Sequence, residues 1–215
     1  METRKELDVS TALTTIYEML NDPFNAKLPD MAVVNLYKLS QDRRIWFDVA
    51  VDENALEWEK QILLWNAEDQ DIPAEQRKPI WIYLFNYGGS VDLEWSFIDL
   101  IDASVTPVYT VNMGVCASAA AEIFIAGKKR FMMKTARTML HQGSAVLQGD
   151  SQKLFDQVDD YKRQLECTRQ FTLERTKISA RAYGAHLKDD WWMNAEECLK
   201  NGVCDQIIES INDVL

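Results

Sequence analysis

Histidine is almost absent from this chain: its 215 residues contain only His141 and His186. Histidine is the side chain best matched to taking a proton from a serine near neutral pH, so chemistry of that kind has to run through one of two positions. Cysteine is scarce and unpatterned. Cys116, Cys167, Cys198 and Cys204 form no C-x-x-C pair and have no histidine cluster beside them, which argues against a zinc site or a disulfide framework and reads as reduced thiols in a cytoplasm. No metal or cofactor is expected. Long apolar runs are missing too: nothing approaches the roughly 20 uncharged apolar residues that span a membrane, and Met1-Glu2-Thr3-Arg4-Lys5-Glu6-Leu7-Asp8 offers no stretch for a signal peptide. The expectation is a cytoplasmic protein with no membrane partner. Positive charge is in deficit, 23 Lys and Arg against 34 Asp and Glu for a net charge of -11, so a phosphate backbone is repelled and nucleic acid is not expected as a partner.

Apolar residues, at 47% of the chain, suffice for one core that buries roughly 70% of the unfolded surface. Leu13, Ile16, Tyr17 and Leu20 recur at helical spacing behind Asp8 and Ser10, which predicts a helix over residues 8–22. Short β-branched and aromatic runs predict strands at 32–37 and 44–49. A helix is expected over 54–65, and the polar stretch 66–78 around Pro73 reads as a loop. Two nearly continuous apolar runs, 79–86 and 107–113, fit strands covered on both faces. Leu93, Phe97, Leu100 and Ile101 place a helix between them, which makes a right-handed parallel strand-helix-strand unit. A helix at 119–125 and strands at 130–133 and 138–141 continue the alternation. Residues 149–179 enclose neither Pro nor Gly and read as one long amphipathic helix, too long for one small core to cover. Asn194 and Glu197 form a capping pair, Gly202 a stop, and 204–208 a last strand. Strands and helices alternating throughout predict the α/β class.

Four short segments carry candidate chemistry. His141 ends an apolar strand, and the carboxyl ends of parallel strands face the ligand crevice of an open sheet; His186 follows Tyr183-Gly184-Ala185 in a polar turn. Met113-Gly114-Val115-Cys116-Ala117-Ser118-Ala119-Ala120-Ala121 leaves a strand and enters a helix through small residues, which exposes Ser118 where backbone N–H groups are unpaired. The same residues also suit tight helix packing. Gly88-Gly89, after the strand ending at Asn86, offers backbone donors that no side chain shields, or an ordinary turn. Asp190, in Lys188-Asp189-Asp190-Trp191-Trp192, is either a solvated surface acid or the partner that orients a histidine.

Taken in order, these segments resemble the Clp protease proteolytic subunit from about Asp30 to the carboxyl end. That family ends a strand in Asn-Ser-Pro-Gly-Gly, where this chain has Asn86-Tyr87-Gly88-Gly89. Its nucleophile segment Met-Gly-x-Ala-Ala-Ser is matched by Met113-Gly114-Val115-Cys116-Ala117-Ser118, and its Met-Ile-His-Gln by Met139-Leu140-His141-Gln142, with Gln148-Gly149 following. Its acid precedes an aromatic-x-Ser/Asn-Ala-Glu-Glu helix, as Asp190 precedes Trp191-Trp192-Met193-Asn194-Ala195-Glu196-Glu197. The resemblance implies a crotonase-like α/β core at 30–215 with a protruding handle helix at about 149–179, preceded by a helical extension at 1–29. It implies a serine peptidase with Ser118, His141 and Asp190 as catalytic residues and the N–H groups of Gly89 and Ala119 as oxyanion donors. A peptide substrate would lie extended between the chain after Gly89 and that after His141. It further implies a homo-oligomeric ring or double ring held by interdigitating handles. Tyr87 and Gly143 stand where the family pattern has proline. The segment before Asp30 reads as a helix rather than the family's short apolar terminus, so docking to an AAA+ unfoldase is not expected. These departures suggest a divergent relative of the bacteriophage or prophage kind. Two rival readings share the fold: an inactive oligomeric scaffold, with Tyr87 blocking the groove, and a crotonase-type acyl-CoA enzyme.

Overall fold

The computed structural model describes residues 30–186 and 188–215, and the chain divides into two compact units, Met1–Arg44 and Ile45–Leu215. The helix predicted over 8–22 lies outside the described residues. In the first unit the strand predicted at 32–37 is instead part of helix α1 (Met31–Gln41). Val33 and Val34 suggested a strand, but the Asp30 carboxylate accepts from the Ala32 N–H at 3.0 Å, and this N-cap with the helix formers Leu36, Lys38 and Leu39 outweighs two β-branched residues. No residue of α1 is buried.

From Arg44 onward strand and helix alternate: β1 (Arg44–Phe47), α2 (Leu56–Glu68), β2 (Ile80–Asn86), α3 (Val91–Ala103), β3 (Val108–Ala117), α4 (Ala119–Ala126), β4 (Lys129–Met133), β5 (Arg137–Leu140), α5 (Ser151–Arg175), α6 (Ala180–Ala185), β6 (Trp191–Asn194), α7 (Ala195–Lys200) and β7 (Gln206–Ile208). The sheet runs β1-β2-β3-β4-β7, with β5 paired to β3 and β6 to β5. Every pairing from β2 to β7 is parallel except β5 with β6. This is the α/β architecture that the alternating pattern predicts.

Apolar residues on both faces of β2 explain its continuous run. Ile80, Ile82 and Leu84 join the main core with Phe97, Ile98, Ile123, Phe124 and Ile125 from α3 and α4, each fully buried side chain contributing about 1.5–3 kcal/mol. Tyr83 points the other way into a smaller cluster with Val111, Phe131, Ile208 and Val214, and its hydroxyl donates to the Val214 carbonyl at 2.5 Å.

Four elements differ from expectation, the first being Tyr183-Gly184-Ala185, expected as a polar turn and found inside helix α6 behind the Ser179 N-cap. Helix α2 runs on to Glu68 because Asn66 is consumed in structure rather than in a loop: its amide donates to Ile62 and its carbonyl oxygen accepts from Val105 N–H and Ser104 Oγ. The long helix spans Ser151–Arg175, not 149–179; Gly149 has φ +153 and Asp150 caps the start, while extended backbone at Thr176 ends it. Strand β6 has no counterpart among the predicted strands. It exists through its antiparallel pairing with β5 and through Arg137, whose guanidinium lies 4.5 Å from the Trp192 ring centroid.

The strand that positions the site is β3. Its first half, Tyr109 to Asn112, pairs with β4, and its second half, Val115 to Ala117, pairs with β5. Between them the register against β2 jumps from Leu84↔Asn112 to Asn86↔Cys116. The buried Asn112 bridges this bulge, accepting from Gly114 N–H at 3.0 Å and donating to Arg137 O at 3.0 Å. The bulge forks the sheet and sets the ends of β2, β3 and β5 side by side.

Candidate active site

The register of the forked sheet dictates what meets at its edge. Ala117 pairs with Met139, so Ser118, the next residue along β3, emerges beside the end of β5, where His141 follows. His141 Nε2 lies 2.7 Å from Ser118 Oγ. Leu140 pairs antiparallel with Trp191, which brings Asp190, the residue before Trp191, opposite His141. Asp190 Oδ1 is 3.4 Å from His141 Nδ1, within charge-pairing range and longer than a good hydrogen bond. The Asp190 side chain is 61% exposed, so this carboxylate faces solvent as well as the ring.

Ser118 occupies a strained turn. Its φ of 55° and ψ of -135° are sparsely populated for an L-residue and cost about 1–3 kcal/mol. The turn is held from both sides: Ser118 N–H donates to Met139 O at 3.0 Å, and Ser118 O accepts from Ala121 N–H at 2.7 Å. Helix α4 then starts at Ala119, whose N–H, the first of the helix, has no carbonyl a turn before it. A strand–turn–helix serine of this form presents its hydroxyl at the sheet edge.

Gly88 and Gly89 lie hard against that turn. A Cβ on Gly88 would sit 2.8 Å from Ser118 Cβ and 3.1 Å from the Ala119 nitrogen. On the far side Val51 N–H donates to Gly88 O at 3.1 Å and Ser90 N–H to Val51 O at 2.7 Å. In such a parallel bridge the N–H of Gly89 itself points away from Val51. Asn86, buried and not anticipated as a site residue, fixes this turn: its side chain accepts from Gly88 N–H at 2.8 Å and donates to Val49 O at 2.5 Å. The Tyr87 ring packs edge-on against Phe85 and stays 62% exposed. His186 stacks on Trp191 at 4.2 Å, a packing role.

Beside Ser118 opens a narrow cleft of about 30 Å³, formed by α3, α4, the segment after His141 and α5. Tyr161 of α5 ties that segment down by donating to Gln142 O at 3.2 Å. Glu94 and Glu122 also line the cleft, and both are buried. Burial pushes Glu94 up to about 8. Burial and then the neighbouring Glu94 carboxyl hold Glu122 well above the ordinary carboxylate range, against a hydrogen bond from Thr172. Neither was read as a site residue, although a lone acid in Ala119–Ala126, where every other residue is apolar and all are buried, is a legible signal. Three buried thiols are pushed the same way: burial raises Cys198 to about 11, Cys204 to about 12 and Cys116 well above its ordinary value.

Because both carboxyls hold protons in the folded state that the unfolded chain releases near 4.5, stability falls as pH rises from there, and the part due to Glu94 is lost once pH passes about 8. Thermal unfolding of the wild type and a Glu94→Gln/Glu122→Gln variant at pH 5 and pH 8.5 checks this. The wild type is expected to lose roughly 1–3 kcal/mol more than the variant over that interval.

A strand-end serine with an imidazole in hydrogen-bonding contact and a carboxylate behind it, on a parallel α/β sheet, is the arrangement of acyl-transfer hydrolases, and the comparisons with known proteins narrow that class to a serine peptidase. The Clp protease family model matches residues 30–211. The ATP-dependent Clp protease proteolytic subunit 2 of Treponema pallidum is 31% identical over 143 residues, covering 64% of this chain and 70% of the relative. Subunit 1 of Leifsonia xyli is 30% identical over 176 residues, covering 80% and 86%. A solved structure of a ClpP1 mutant from Listeria monocytogenes superimposes with a TM-score of 0.71 at 25% identity, over 83% of this chain and 98% of that one. The chain belongs to the Clp protease family. No described helix is long and apolar enough to cross a membrane.

Proposed function

We propose that this chain hydrolyses peptide bonds through an acyl-enzyme on Ser118, with residues 30–215 as its peptidase domain. The observation that carries the reading is the 2.7 Å contact between His141 Nε2 and Ser118 Oγ. His141 takes the hydroxyl proton as Oγ attacks the peptide carbonyl, then gives it to the leaving amine; Asp190 orients the ring and balances its positive charge. The N–H groups of Gly89 and Ala119 meet at the turn where the carbonyl oxygen becomes negative, and donors placed so are worth about 10²- to 10³-fold each. Water, activated by the same imidazole, releases the acyl group.

The active form in this reading is a homo-oligomeric ring or double ring with α5 as the handle. In support, only Phe171 and Thr172 of the 25 residues of α5 are buried, while Phe155 stays 68% exposed, so its apolar face lacks cover from the other described residues. The relatives are ATP-dependent by name, which makes an AAA+ unfoldase the partner class proposed for the ring.

Exposure to a fluorophosphonate probe tests the site directly. Phosphonylation mapped to Ser118 by peptide mass spectrometry is the expected result. An assembled ring left unlabelled under conditions that label trypsin completely would remove the nucleophile from the proposal.

A further inference from the structure

The two buried carboxyls flank Ser118 in a specific way. Glu122 lies one turn of α4 beyond Ser118, about 5.4 Å along the axis, and its two oxygens lie 3.2 and 3.3 Å from Thr172 Oγ1, a hydroxyl with one proton that also has Thr168 O at 2.8 Å. Glu94 lies one turn into α3 from the Gly88-Gly89 turn, its N–H bonded to Ser90 O at 3.0 Å. It is 3% exposed, and its Oε1 is buried with no hydrogen-bond partner among the described residues. Both side chains line the cleft that Ser118 and His141 also line, and no lysine or arginine among the described residues lines it. A buried, unpartnered carboxyl oxygen is costly and rarely tolerated, and here it borders the space beside the serine.

We propose that Glu94 and Glu122 form an acidic floor beside Ser118 that selects peptides carrying lysine or arginine at the residue whose carbonyl is attacked. This deepens the proposed function and rests on it, since the attacked carbonyl defines which side chain turns into the cleft. The side chain of that residue leaves the backbone within a bond of the carbonyl carbon at Ser118 Oγ. A lysine stem of four methylenes reaches about one helical turn, the depth at which Glu122 lies. Ala119, Val91 and Leu140 supply apolar wall for the stem. At the floor Glu94 Oε1 has no hydrogen-bond partner among the described residues, and an ammonium or guanidinium brings three to five N–H groups and no acceptor. The burial that keeps both acids protonated in the empty cleft is relieved when a cation enters and one of them ionises against it. A norleucine side chain fills the same space and leaves Glu94 Oε1 unpaired.

The test compares fluorogenic peptides that differ only at that residue (Lys, Arg, Gln or norleucine) on the full-length wild-type chain, with fluorophosphonate labelling of Ser118 followed in parallel. The expected kcat/KM for Lys or Arg exceeds that for norleucine and for Gln by at least about tenfold, and Glu94→Gln and Glu122→Gln variants each reduce that ratio. Equal or better cleavage after norleucine or Gln, with Ser118 labelled normally, overturns the acidic floor while leaving the nucleophile in place. Absence of labelling overturns the nucleophile and the floor together.

Discussion

Replacing Ser118 by Ala is expected to lower kcat for peptide hydrolysis by about 10⁴- to 10⁶-fold, and His141→Ala to give a loss of the same order. The two side chains act as one unit: without the hydroxyl the imidazole at 2.7 Å has no proton to take, and without the imidazole the hydroxyl is a poor nucleophile. The double variant is therefore expected to be no slower than either single one, the residual rate coming from the backbone donors and substrate binding. Asp190→Asn costs less, because Asp190 is 3.4 Å from the ring and 61% exposed, so water can replace part of its orienting role. Steady-state rates on one fluorogenic peptide, with the assembled mass verified for each variant, measure all four. A Ser118→Ala ring that retains wild-type turnover would falsify the mechanism.

Gly88→Ala carries the second large effect, a fall of about 10²- to 10³-fold in kcat, the size of a lost oxyanion donor. Gly88 has φ +99, and a Cβ there would lie 2.7 Å from Ala117 O and 2.8 Å from Ser118 Cβ. Neither neighbour can yield cheaply, since one is backbone of β3 and the other belongs to the strained turn itself. The strain is discharged by moving the Gly88-Gly89 turn away from Ser118, which carries the Gly89 N–H with it. Gly89→Ala meets a harder wall, with Val51 O at 2.3 Å, and is expected to lower the melting temperature as well as the rate. Normal activity in Gly88→Ala with an unchanged melting temperature would show that this turn is not coupled to the reacting serine.

How much of this was legible in the residues varies by element. The apolar runs at 79–86 and 107–113, the helix between them and the Asn194–Glu197 capping box follow from local periodicity and side-chain chemistry, which act over a few residues and are readable in one dimension. Strand β6 is only four residues long and owes its conformation to Thr138, Met139 and Leu140 across the ladder. A tertiary pairing of that kind leaves no periodic trace. In α1, the Val33-Val34 pair carried a real but weak preference that the Asp30 cap overrode. Glu94 is a different case: at helical spacing an acid is usually solvated, and only the packing around it reveals that this one is not, whereas Glu122 stands alone among the apolar residues of α4 and was legible.

By itself the order of residues determined the α/β class, the single histidine able to follow a strand end, and the Gly88-Gly89, Ser118 and Asp190 segments that mark the family, because these depend on composition and short-range pattern. Tertiary structure alone decided that β3 forks at its bulge, that the fork sets Ser118 2.7 Å from His141, and that two carboxyls are sealed in beside them. The reason is that distance and desolvation are properties of packed surfaces, fixed by contacts between residues 23 to 50 positions apart.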